Sequence, residues 1–225
     1  MSSTPDRAPD PRPARTRAAI FAAARELTAA DGEVTVNALA KRAGVSRAAF
    51  YSHFNGLDDL MGAMFARMYE IQHARALEFA ANGRSTQEMV QTGAATLVAY
   101  TVRHHAFLRG GLDWKFSHRT YMILVKTLSD LHVMTLRRLG DEVPASLPIE
   151  RTGRFFAGGT LAILTQWLVE TEGADDVGEE LHRAELTEAV LRNLPSWYTG
   201  LGPEEPIPDW LLAEDLLRPV LDDEA

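Results

Sequence analysis

Apolar residues recur every three to four positions along most of this chain, and no stretch alternates with a period of two. The pattern therefore predicts helices throughout and no strand. Ile20, Ala23, Ala24 and Leu27 mark a first helix over about 14–30, closed by Asp31-Gly32. Leu39, Ala40 and Ala43 line a short second helix with Thr35 as its N-cap. Gly44 supplies the positive φ of a tight turn, and Ser46 caps a third short helix with Val45, Phe50 and Phe54 inward. Asn55-Gly56 breaks the chain. Asn55 is the expected cap of a long fourth helix through Leu60, Met64, Met68 and Ile71 to about Phe79.

Farther along, Ser85-Thr86-Gln87-Glu88 is a capping box. It opens a helix carrying Leu97, Val98, Tyr100 and Thr101 to about His105. After Gly110-Gly111 the pattern gives a short helix over about 112–116. A longer one follows over about 119–139, with Met122, Val125, Leu128, Leu131 and Leu136 inward. The segment 149–172 has apolar and small residues around much of its surface, so it must meet more than one partner. Asp176-Val177-Gly178-Glu179 resembles another capping box. The helix it opens has Leu181, Leu186, Ala189, Val190 and Leu194 on one face, and Pro195 stops it. One more helix is expected over Asp209–Leu217, because Trp210, Leu211 and Leu217 need burial.

The segment from Thr35 to Phe54 carries the functional signal. Arg47, Ala48, Tyr51 and Ser52 fall on the side of the third helix opposite its apolar residues. Two short helices about a Gly turn, the second presenting Arg and Tyr outward, describe a helix-turn-helix whose second helix enters the DNA major groove.

The run Ala40-Lys41-Arg42-Ala43-Gly44-Val45-Ser46, followed by Phe50-Tyr51-Ser52-His53-Phe54, resembles the tetracycline-repressor (TetR) family of transcriptional regulators. The likeness extends back to Ala22–Leu27 and forward to Asp58-Asp59-Leu60, covering roughly residues 14 to 65. It implies an all-α fold: a helix-turn-helix DNA-binding domain over 14–56, then a larger helical ligand-binding and dimerisation domain over 57–199. A disordered Pro- and Arg-rich arm over 1–13 precedes them, and an acidic extension over 200–225 follows. By resemblance, Thr35, Tyr51 and His53 hold phosphates, while Asn37, Arg47 and Ala48 sit where base edges are read. Ser46 belongs to the same contact set. Arg47 suits bidentate bonds to guanine, Asn37 suits adenine, and Ala48 suits only a thymine methyl. The chain departs from the family at Leu57, where a phosphate-binding Lys is usual.

The family's C-terminal helices enclose a small-molecule pocket. Met68, Tyr100, His104, Phe107, Trp114, Met122 and Trp167 are the candidates for it, each equally readable as core. The implied protein is a cytoplasmic homodimeric repressor released from a palindromic operator by a small apolar or aromatic effector. Its dimer contact would run through the helices over 149–172 and 176–194, where Gly158, Gly159 and Ala162 permit close approach. The alternative is a DNA-binding factor of the same fold, architectural or controlled by a protein partner, with no inducer.

Composition adjusts this picture at two points. The chain of 225 residues carries a net charge of −8, which at first argues against nucleic acid. However, residues 1–60 are net +1, 61–169 net +4 and 170–225 net −13, so the surplus acid lies at the end that should face away from phosphate. The second point is chemistry. There is no Cys, no HExxH, no phosphate-cradling Gly loop and no Ser-His-Asp signature. His104-His105, Asp113 and His118 are the only arrangement hinting at a metal or acid–base pair, and adjacent His residues on a helix point about 100° apart. The sequence thus predicts no enzyme, metal or cofactor. The N-terminus has no secretory signal, and the apolar run Phe155–Val169 is too short to span a membrane.

Overall fold

The computed structural model describes residues 12–29, 34–105, 108–109, 118–171 and 179–221, and among these it is helical with no strand. Three helices come first: α1 (Arg12–Ala29), α2 (Val36–Arg42) and α3 (Arg47–Tyr51). The two short ones hold because their first turns are capped. The Thr35 hydroxyl accepts the Ala38 N–H at 3.1 Å and the Ser46 hydroxyl accepts the Ala49 N–H at 3.0 Å. Between them Gly44 sits at φ +67°, in the left-handed region where a Cβ is costly. Ile20, Leu39, Phe50 and Phe54 are fully buried at the centre of the three helices. α1 begins two residues inside the expected arm; residues 1–11 of that arm lie outside the described residues.

The connection to α4 (Leu57–Ala81) corrects one expectation. Asn55 does not cap the helix. Its backbone N–H and side-chain amide both donate to Asp59 Oδ2, at 2.9 and 3.1 Å. A carboxylate accepts from two donors at once, and a negative group in the first turn suits the helix dipole, so Asp59 reaches back instead.

α5 (Thr86–Arg103) is the central helix of the larger part. Its capping box forms as expected: the Ser85 hydroxyl accepts the Glu88 N–H at 3.1 Å, and the Glu88 carboxylate accepts the Ser85 N–H at 2.8 Å. From Gln91 to Val102 every residue but Gly93 is buried, because α4, α6 (His118–Leu139), α8 (Glu179–Arg192) and α10 (Glu214–Leu221) all pack on it. The short helix expected over 112–116 and the first three residues of the capping box at Asp176–Glu179 lie in segments outside the described residues.

α7 (Ile149–Glu170) lies along α6 in the most extensive helix pairing of the molecule. Their backbones approach at Gly153, where a Cβ would stand 2.6 Å from Val133 Cγ2 and 3.2 Å from the Ser129 carbonyl oxygen. No larger residue fits there without moving α6.

Two inward assignments are corrected: Met122 is 43% exposed and Leu181 is also exposed, whereas Leu186 is deep in the core, as expected. The C-terminal end differs as well. Pro195 ends α8 but at once starts a further turn, α9 (Ser196–Thr199), and a 3₁₀ turn follows at Asp209–Leu212 before α10. Leu211 and Leu217 are fully buried against the α5 side of the core. Arg192 ties the segment down by donating to the carbonyls of Gly202, at 2.8 Å, and Glu205. Residues 200–221 of the acidic end are thus a folded strap.

Candidate nucleic-acid interface and internal cavity

α3 has only five residues, so its position is set by what lies behind it. Phe50 and Phe54 pack ring to ring at 5.7 Å, and Phe54 meets Phe21 of α1 at 5.7 Å. The Arg17 guanidinium lies 5.3 Å from the Phe21 ring and 5.2 Å from the Phe54 ring. Arg17 therefore fastens α1 to the segment that follows α3. In front of this aromatic support, Ser46, Arg47, Ala48 and Tyr51 are exposed, Tyr51 at 50%. The Tyr51 ring stands edge-on to Phe50 at 5.5 Å, which holds its hydroxyl outward. Asn37 on α2 is also exposed, and Thr35 and His53 are half-buried. Leu57, at the position of the family's usual Lys, is half-buried and packs against the core. Leu57 thus serves packing where α4 begins.

A second feature lies in the larger part. A cavity of about 80 Å³ opens between α5, α6, α7, α8 and α9. Its walls are mainly apolar, including Met89, Leu97, Leu128, Leu131, Val190 and Leu194. Six polar residues also line it: Thr92, Thr96, His132, Thr135, Thr160 and Tyr198. His132 Nδ1 is 2.8 Å from the Tyr198 hydroxyl. The His132 ring as a whole is half-buried, but Nε2 is shut off from solvent and has no hydrogen-bonding partner in the protein, as is true of Thr96 Oγ1. Burial lowers His132 from its ordinary 6.5 to about 4, so the ring is neutral. Burial also pushes the Tyr198 phenol up, partly offset by a bond with the Thr135 hydroxyl.

Residues 20–64 match the family model described as "Bacterial regulatory proteins, tetR family". The chain carries a tetR-family DNA-binding domain. The fold of the remainder agrees with the TetR-type architecture in solved structures. One is Thermus thermophilus FadR, described as a TetR-family transcriptional repressor in complex with lauroyl-CoA. It shares 24% identity, covering 85% of this chain and 98% of that one, with a TM-score of 0.59. Another is a Rhodococcus sp. protein assigned to the TetR-family transcriptional regulators, at 21% identity over 78% of this chain and 96% of that one, with a TM-score of 0.50. At these identities the likeness establishes the shared fold. No curated protein matches the chain.

Within the TetR-type fold, the described ligand candidates, Tyr100, His104, Met122 and Trp167, are not among the residues lining the cavity. Tyr100 and His104 are buried against each other, ring centroids 4.4 Å apart, beyond the cavity on α5. Trp167 is half-buried between His105 and His182, at 5.2 and 5.5 Å. Met122 faces outward. Phe107 and Trp114 lie outside the described residues, as does the side chain of Met68. The His-rich segment is dispersed too: His104 packs on Tyr100, while His105 Nε2 bonds the Thr171 hydroxyl at 2.9 Å. The cavity residues had a sequence signal that aromatic content concealed. Thr92 and Thr96 sit four apart on one face of α5, and His132 interrupts the inward face of α6. Among the described residues no helix is long and apolar enough to cross a membrane.

Proposed function

We propose that this protein is a ligand-responsive, sequence-specific transcriptional regulator that represses by occupying a palindromic operator as a homodimer. The observation that carries the reading is α3 itself. It is capped at Ser46, backed by Phe50 and Phe54, and leaves Arg47, Ala48 and Tyr51 exposed within the family-matched segment. In this reading Arg47, Ala48 and Asn37 meet base edges, and Thr35, Ser46, Tyr51 and His53 meet phosphate and fix the register. The DNA-binding domain is residues 14–56, the ligand-binding and dimerisation domain is 57–199, and 200–225 is an acidic segment held away from DNA.

The dimer contact runs along the outer face of α7. Phe155, Ala162 and Val169 are spaced by seven and exposed, Phe155 at 76%, with Gly159 exposed between them. Such a stripe is the seam of a helix pair, and two α7–α8 pairs make a four-helix bundle. Ligand response passes through α4. Its first turn follows α3 directly, and α5 and α6, which wall the cavity, pack on its length. A ligand that moves those helices changes the spacing of the two recognition helices. Weakening operator binding a hundredfold requires about 2.7 kcal/mol of coupling, and operator must weaken ligand binding equally.

Selecting bound sequences from a random DNA pool with the full chain tests the reading. The expected result is one enriched motif of two inverted half-sites. A pool without enrichment, from folded protein, contradicts it.

A further inference from the structure

The cavity beside His132 defines the class of molecule it takes, an inference that rests on the regulatory reading above. Charge is the first constraint. Among the described residues no Asp, Glu, Lys or Arg lines the space, and the His that does, His132, is neutral. A carboxylate or ammonium placed there would lose its hydration and find no counter-charge, a penalty of several kcal/mol.

Size is the second constraint. At about 80 Å³ the cavity is roughly half the ~150 Å³ that admits benzene in an apolar protein interior. Two of its wall residues, Met89 and Met134, are unbranched and flexible, and Met134 is exposed at the rim. Rotating them enlarges the space toward one ring or a short branched chain, without the opening a long acyl chain would need.

The third constraint is hydrogen bonding. A buried polar atom left without a partner is costly, and here two such atoms, His132 Nε2 and Thr96 Oγ1, belong to residues lining one small cavity. Tyr198 occupies Nδ1. If the phenol donates to Nδ1, Nε2 carries the proton and donates; if Nδ1 donates to the phenol oxygen, Nε2 accepts. A hydroxyl on a ligand satisfies Nε2 in either tautomer, and a carbonyl satisfies it in the first.

We propose that this cavity is the effector site and that it takes a compact, uncharged, mainly apolar molecule whose hydroxyl or carbonyl oxygen bonds to His132 Nε2. Tyr198 is then a positioning residue, fixing the imidazole so that Nε2 faces the ligand.

The test uses the full-length protein and three probes that share one ring: benzyl alcohol, toluene and benzoate. Calorimetric titration should show saturable benzyl alcohol binding, toluene weaker by about tenfold, and no benzoate binding. In His132→Phe the alcohol and toluene should bind equally. Because that variant also loses the Tyr198 bond, a second readout uses the wild-type chain alone. The ¹⁵N resonance of His132 Nε2 should shift with benzyl alcohol and stay unmoved with toluene. Equal binding of alcohol and toluene to wild type, binding of benzoate, or an unmoved Nε2 resonance would each overturn the proposal. So would a cavity that holds resident water and admits no probe. If these fail while an inverted-repeat motif is still selected from random DNA, only the effector assignment falls. If no motif is selected, the regulatory reading falls instead.

Discussion

His132 and His104 both fold with neutral rings. Burial is the main cause for each, and for His104 the nearby Arg25 and Arg103 add to it. Both are lowered from 6.5 to about 4, whereas an unfolded chain takes up these protons near 6.5. Between those values the unfolded state binds more protons, so stability rises with pH there and is lost as pH falls from about 6.5 toward 4. Urea midpoints measured from pH 7.5 to 4.5 should therefore begin to fall below 6.5, before most carboxylates titrate. A midpoint flat down to pH 5 would show that the two rings are solvated. Leu57 makes a related point about exchange at single positions. Replacing it with Lys offers the family's phosphate contact but places an ammonium where a half-buried side chain packs on the core.

At the scale of elements, α7 has two faces with separate roles. Gly153 and Phe156 turn inward to α6 and the core, and Phe155, Ala162 and Val169 turn out. Ala162→Glu places charge at an exposed position in the middle of the outward stripe, so it should give folded monomers. Sedimentation velocity with a circular dichroism check decides this. A dimer that persists would remove α7 from the interface. A charge at Leu186 would be uninformative, because that side chain is core and the chain would unfold. This division also shows what was legible in the sequence. The helices, the Thr35 and Ser46 caps, the capping box at Ser85 and the helix-turn-helix core could be read because each is a local pattern. The outward turn of Met122 and Leu181 could not, because a helix with apolar residues on several sides does not say which side meets its own chain. The cavity was hidden for a similar reason. Aromatic density pointed to Tyr100, His104 and Trp167, but those rings pack on one another and on neighbouring histidines. The open space forms instead where α5 and α6 face each other across Thr96 and His132.

At the scale of the whole molecule, charge and architecture agree. The acidic strap folds down against α5, tied by Arg192 and by Arg84 over the Trp210 ring at 5.4 Å, in the larger part of the chain. The acids of the described strap, Glu204, Glu205, Asp209, Glu214 and Asp215, are therefore carried on a segment packed against the larger part of the chain. The central claim is that α3 reads sequence through Arg47. The measurement that tests it most directly is the affinity of wild type and Arg47→Ala for the selected operator and for each of its single-base variants, at one salt concentration. The account predicts that Arg47→Ala loses roughly 1–3 kcal/mol on the parent operator and becomes indifferent at one base pair per half-site, with preference elsewhere intact. A folded Arg47→Ala protein that keeps wild-type affinity and wild-type preference at every position would contradict it.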